Sequence, residues 1–184
     1  MIELPKYTVP TYNPRGLAVN ERTDFTRRIP ALPEKQLARD AKIVGQIIRA
    51  YEAGNNEEVL DIFRRKARLL SNPRYWEVMR TVWVAVGSTE TAPLFRTLML
   101  SSRPCRSWFM TPEDAAALEA MPFPLTVWRA YDADPDPGIS WTLDEQWCRG
   151  YAKAKGRRVK QMQVSREQVF AYVSRRGEEE VIIL

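Results

Sequence analysis

The sequence predicts an α+β protein, with a helical N-terminal half packed on a small split, mixed β-sheet made by the last third of the chain. Three observations predict it. Apolar residues recur at helical spacing from Pro33 to about Met121. At Pro122-Phe123-Pro124 that period gives way to short runs of strand-forming residues separated by turn residues. The chain has 184 residues, 45% of them hydrophobic, enough for one core-bearing domain with a helical extension. The expected division is an extended Pro-rich arm over 1–33, a helical region over 34–122 and a compact unit over 123–184.

Prolines at 5, 10, 14, 30 and 33 forbid a long helix in the arm. From Pro33, Leu37, Ala41, Val44, Ile47, Ile48 and Tyr51 line one helical face, and Gly54-Asn55-Asn56 supplies the stop. A second helix is predicted from Glu57 to Leu70, with Leu60, Phe63, Ala67 and Leu70 inward. Asn72-Pro73 opens a third, apolar helix through Val86, and a fourth covers Thr91 to Leu100. Thr111-Pro112-Glu113-Asp114 reads as a cap, a first-position proline and an acidic first turn, starting a helix to Met121. The stripe of Trp76, Met79, Trp83 and Met99 is core by its spacing. Strands follow at Leu125–Trp128, Gly138–Leu143, Val159–Val164, Val169–Val173 and Glu180–Leu184. A rigid acidic turn occupies 132–137, and a helix ending before Gly156 separates the second strand from the third.

Composition narrows the chemistry. The chain has no histidine, which excludes Ser-His-Asp and Cys-His catalysis and His-containing zinc sites. Its two cysteines, Cys105 and Cys148, are far apart and predict free thiols, with neither a disulfide framework nor a metal site. No apolar run reaches the roughly 18 residues of a membrane span. The N-terminus carries no signal-peptide pattern, so a cytoplasmic protein is expected. The net charge is +5, and residues 125–184 hold ten basic and nine acidic residues, so most of the excess lies in the helical half. Catalysis must then use carboxylates, Arg, Lys, Tyr, Ser and a bound cofactor.

Three strings carry that chemistry: Val127-Trp128-Arg129-Ala130, Gly138-Ile139-Ser140-Trp141-Thr142-Leu143, and Gly177-Glu178-Glu179-Glu180 before the apolar Val181–Leu184. Each places polar residues on an expected strand. Residues two apart on a strand share a face, which pairs Ser140 with Thr142 and Glu178 with Glu180. Three glutamates entering an apolar strand are unusual, because like charges crowd there.

In this order, an Arg, a Ser-x-Thr and a Glu-x-Glu resemble the Arg-Ser-Glu group of ADP-ribosyltransferases, which cleave NAD and pass ADP-ribose to a target. The resemblance covers about residues 125–184 and is similar to compact phage- or prophage-type members that end at the Glu strand. It implies an ADP-ribosyltransferase-type sheet, NAD as substrate and no metal. The acceptor it implies is a protein, with an arginine as the modified residue. Nucleic acid is the other acceptor class, and the site of action is the cytosol of the host. By position, the resemblance implies that Arg129 contacts the diphosphate or ribose, Ser140 positions the ribose and the catalytic acid, and Glu180 hydrogen-bonds the ribose 2′-hydroxyl. Glu178 steers a guanidinium nucleophile. Thr142 stands for the second serine of the string, and Ala130 stands where glycine usually lends its backbone to the nicotinamide amide. Tyr131 and Trp147 are candidate stacking partners. Arg129, Ser140 and Glu180 are thus expected to converge on one cleft, and side chains on opposite faces of the sheet would collapse the transferase reading.

Two other classes compete. One is a non-catalytic basic helical module, built on Arg64-Arg65-Lys66-Ala67-Arg68 and Arg157-Arg158, that binds nucleic acid or a host protein. The other is a two-carboxylate glycosyl hydrolase using Glu178 or Glu180 with Asp132, Asp134 or Asp136.

Overall fold

The computed structural model describes residues 29, 32–175 and 178–184. The arm expected over 1–33 lies almost wholly outside them, as does Gly177 of the acidic string. The described residues form six α-helices and one five-stranded sheet, an α+β arrangement with most helices in the N-terminal half. They divide into two compact units, one holding residues 32–87 and 102–111, the other 88–101 and 112–184.

The first unit is helical. Helix α1 (Glu34–Glu52) starts directly after Pro33 and ends before Gly54, whose φ of 71° suits glycine. Its buried stripe is Asp40, Ile43, Val44, Ile47, Ala50 and Tyr51. Leu37 and Ala41, expected inward, are exposed instead. The stripe admits a carboxylate because Asp40 is fully engaged there. It accepts from Ser71 Oγ at 2.5 Å, from the Ser71 amide at 3.1 Å and from Gln36 Nε2 at 2.8 Å. Ser71 sits at the N-cap position of helix α3 (Asn72–Val86) with its hydroxyl given to Asp40, so Asp40 pins the start of α3 to α1.

Helix α2 (Asn56–Lys66) begins one residue earlier than expected, because Asn55 caps it by accepting from the Glu58 amide. Val59, Ile62 and Phe63 are buried, while Leu60 is half-buried. Helix α3 buries ten consecutive residues from Tyr75 to Val84, the signature of a helix enclosed on every side. A short 3-10 turn at Arg106–Phe109 closes over it, and Trp76 Nε1 donates to the Pro104 carbonyl at 2.8 Å.

The second unit holds helices α4 (Ala92–Met99), α5 (Pro112–Glu119) and α6 (Glu145–Lys155), and strands β1 (Leu125–Tyr131), β2 (Ser140–Thr142), β3 (Arg158–Val164), β4 (Val169–Arg175) and β5 (Glu178–Ile183). Helices α4 and α5 thus group with the sheet, although the sequence assigns them to the helical region. For α5 the tie is visible: Asp114, nearly fully buried, accepts from the Ser174 amide of β4 at 3.0 Å and from its hydroxyl at 2.5 Å.

The strand order is β3-β1-β2-β5-β4, and every neighbouring pair is antiparallel. The expectation of a split, mixed sheet is corrected on both counts. Parallel neighbours need crossover connections, whereas β1–β2 and β4–β5 are sequence neighbours that pair directly. The sheet is continuous because β2 pairs with β1 on one side and β5 on the other.

The Asp40 cluster yields a test. Replacing Asp40 by Ala leaves the buried Ser71 hydroxyl and amide without this acceptor and should cost about 1–3 kcal/mol. Urea unfolding followed by tryptophan fluorescence checks it; a stability equal to wild type would show that Asp40 does not hold α3 to α1.

Candidate active site on strands β1, β2 and β5

The register fixes which side chains share a face. Trp128 pairs with Thr142, and Thr142 pairs with Glu180. Ser140 pairs with Ile182. Trp128, Ser140, Thr142, Glu180 and Ile182 therefore lie on one face, and Arg129, Tyr131, Trp141, Lys160 and Val181 on the other.

Two backbone bonds show how β2 and β5 meet. The Ile183 amide donates to the Ile139 carbonyl at 2.9 Å, and the Leu143 amide to the Glu179 carbonyl at 3.0 Å. In an antiparallel ladder such pairs alternate with non-hydrogen-bonded ones, whose side chains lie closer together. Ser140–Ile182 and Thr142–Glu180 are the close pairs. From them Ser140 Oγ reaches diagonally along the face and donates to Glu180 Oε1. Glu180 is 3% exposed and Thr142 is buried. The Thr142 hydroxyl accepts from the Asp144 amide at 3.1 Å, and Asp144 in turn caps α6 by accepting from the Trp147 amide at 2.8 Å. The serine, the threonine and the acid predicted for the site are thus brought together, one strand apart.

Arg129 is not brought to that face. Alternation sends its side chain the other way, where Nε donates to Asp136 Oδ2 at 2.6 Å and Nη2 to Asp136 Oδ1 at 3.3 Å. Nη1 donates to the Ser140 carbonyl at 2.6 Å, and Nη2 also to Thr89 Oγ1 at 3.2 Å. Ser140 and Glu180 therefore meet on one face of the sheet, and the Arg129 side chain lies on the other. The guanidinium, only 10% exposed and paired with a carboxylate, is a structural clamp on the strand that carries Ser140. Ala130 follows on β1, paired with Val159 of β3, on the Trp128 face. Glu178 opens β5 opposite Arg175 of β4.

The expected stacking partners have other company. Tyr131 lies beneath Arg158 at 4.6 Å and Lys160 at 5.0 Å, and Trp147, on the exposed side of α6, stacks on Tyr151 with ring centroids 5.3 Å apart. Neither cysteine joins the site: both are free, Cys105 exposed and Cys148 buried, with burial pushing the Cys148 thiol up. Among the described residues no group of His, Cys, Asp and Glu could hold a metal ion, and no helix is long and apolar enough to cross a membrane.

Asp136, weighed in the sequence only as a hydrolase carboxylate, is the organising acid of the β1–β2 connection. Burial would raise its pKa, but hydrogen bonds from Arg129, the Gly138 amide and Lys160 outweigh burial and hold it at about 2. Asp136 is taken up by Arg129 on the face opposite Glu180, so the two-carboxylate hydrolase reading loses the pairing of Asp136 with Glu180. The Gly138 amide bond, at 2.9 Å, is an Asx turn, a signal that Asp136-Pro137-Gly138 carries in sequence. The long-range partners carry no such signal. Trp128, in sequence a candidate aromatic wall for a sugar, presents a polar atom here. Its indole Nε1 is buried without a hydrogen-bond partner among the described residues, on the face that bears Thr142 and Glu180. Such a donor is costly to bury unused.

No protein-family model, curated protein or solved structure matches the chain.

Asp136 makes acid stability specific. Its carboxyl titrates at about 2 when folded against an ordinary 3.8, so its stabilising contribution is complete above about pH 4. It is lost as pH falls from 4 toward 2, and amounts to about 2 kcal/mol. Asp136→Asn should lower stability at pH 7 yet flatten the loss below pH 4, as read by urea unfolding at several pH values. An unchanged slope would mean that the ion pair does not form.

Proposed function

We propose that the chain is a mono-ADP-ribosyltransferase of the Arg-Ser-Glu group, with an ADP-ribosyltransferase-type sheet, which uses NAD to modify a macromolecular acceptor in the cytosol. The observation that carries this reading is the Ser140–Glu180 hydrogen bond, made across adjacent strands with the acid almost wholly buried. The resemblance in sequence names that pair; Arg129, its third member, lies on the opposite face, so the reading rests on Ser140 and Glu180 without it.

The chemistry follows from the pair. The bond between nicotinamide and the ribose C1′ breaks, nicotinamide leaves with the electron pair, and positive charge develops on the ribose. A fixed carboxylate beside the sugar stabilises that charge without reorganising. Ser140 holds Glu180 in place, and Trp128 Nε1 is an unused donor on the same face. The acceptor nitrogen then bonds to C1′ and gives up a proton to water. With Arg129 committed to Asp136, its part is to hold the strand of Ser140 rather than the diphosphate. The Glu-x-Glu spacing assigns acceptor steering to Glu178 and favours an arginine acceptor.

Glu180→Gln should lower both NAD hydrolysis and transfer by on the order of a hundredfold or more. Glu178→Gln should suppress transfer while sparing much of the slow hydrolysis. Incubation of each variant with labelled NAD in bacterial lysate, reading free ADP-ribose and labelled macromolecule separately, decides. Equal loss of both activities in both variants removes the division of labour. Full activity in Glu180→Gln removes the mechanism. Salt-sensitive nucleic-acid binding with no NAD turnover would favour the basic binding module.

Trp128→Phe keeps the ring and deletes the donor. It should raise the KM for NAD several-fold while leaving thermal stability unchanged or higher, because a buried donor without a partner is removed. A KM equal to wild type would take Trp128 out of the site.

A further inference from the structure

We propose that Asp136 is the positioning residue of the Ser140–Glu180 pair, acting through Arg129 on the Ser140 carbonyl. The inference rests on the reading of that pair as the reacting site and says how the site is kept in register.

The ladder between β2 and β5 makes a second support necessary. Because Ile139–Ile183 and Leu143–Glu179 are its hydrogen-bonded positions, the main-chain groups of Ser140 and Thr142 point away from β5, toward β1. There the β1–β2 pairing reaches only Trp128–Thr142. The Ser140 carbonyl lies beyond it, and the donor it receives is a side chain, Arg129 Nη1 at 2.6 Å. A guanidinium on a flexible stem would not hold that line by itself. Asp136 takes its Nε and Nη2 edge, which leaves Nη1 aimed at the carbonyl.

Asp136 is itself fixed from two further directions. The Gly138 amide donates to it at 2.9 Å, and Lys160 of the neighbouring β3 reaches it at 3.0 Å. Its side chain is 3% exposed. Gly138 completes the arrangement by being absent of side chain. A Cβ there would sit 1.7 Å from Arg129 Nη2 and 1.9 Å from Cζ, so the connection lies directly on the guanidinium. Arg129, Asp136, Gly138 and Ser140 thus form one closed circuit, and it ends on the backbone of the residue whose hydroxyl holds Glu180.

Misplacement of a reacting group by about 1 Å can cost on the order of a hundredfold in rate, so loss of the circuit should appear in kcat. Three full-length variants test this: Asp136→Asn, Asp136→Glu, and the pair Arg129→Met with Asp136→Leu. The last removes both charges together and so avoids a buried unpaired ion. Asp136→Asn and the double variant should lower kcat for NAD turnover about ten- to a hundredfold with the KM for NAD within about threefold. Hydrogen exchange of the amides over 139–141 should quicken at least about tenfold, with exchange of α5 unchanged. Asp136→Glu should recover part of kcat. Wild-type kcat and wild-type exchange in Asp136→Asn overturn the proposal, as does a loss confined to KM. If the wild-type protein turns over no NAD, the transferase reading fails, and the exchange comparison alone decides whether Asp136 holds Ser140.

Discussion

Strand β2 has only three residues, yet the sheet is continuous through it. On one side the ladder to β5 extends past both ends of the strand, through Ile139–Ile183 and Leu143–Glu179. On the other a single pair, Trp128–Thr142, joins it to β1. What backbone pairing leaves undone at Ser140 is done by Arg129, whose guanidinium bonds the carbonyl while Asp136 neutralises its charge. Taking a charge out of water costs several kcal/mol unless it is paired and its donors are used. Here the donors at Nε, Nη1 and Nη2 all find acceptors, so a buried ion pair is compatible with stability and determines where one strand lies.

That constraint separates two roles which residue types alone do not separate. Arg129 on one face of the sheet pairs with Asp136, and Ser140 with Glu180 on the other is the pair proposed to react. The two faces communicate through one peptide unit, the carbonyl of Ser140. Thr142 joins the face that bears Ser140 and Glu180 to the start of α6 through Asp144, so the helix that follows β2 is anchored from the same three residues. Ser140, Thr142 and Glu180 are held by strands rather than by loops, which suits groups that must not move while charge develops.

Much of this was legible in the sequence where the signal is local. Asn72-Pro73, Thr111-Pro112 and Gly156 mark helix ends by backbone chemistry that does not depend on distant partners, and the structure places ends there. The serine and the acid were legible as types on strands, since alternation fixes which neighbours share a face. The rest depends on pairing across long separations. Asp40 occupies a buried position because Ser71, thirty-one residues away, satisfies it, and a pattern read for apolar residues prefers Leu37. The direction of Arg129 follows from the β1–β2 register, which no property of the strand itself specifies. Asp136 is acidic turn sequence until Arg129 and Lys160 are placed beside it.

The central claim is that the face carrying Ser140 and Glu180 receives the nicotinamide ribose of NAD. A crystal structure of the full chain with a non-hydrolysable carbocyclic analogue of NAD tests it most directly. The account predicts the ribose-equivalent hydroxyls within hydrogen-bonding distance of Glu180, with the Arg129–Asp136 pair intact on the other face. An analogue bound elsewhere, or no binding at concentrations up to about a millimolar, would contradict it.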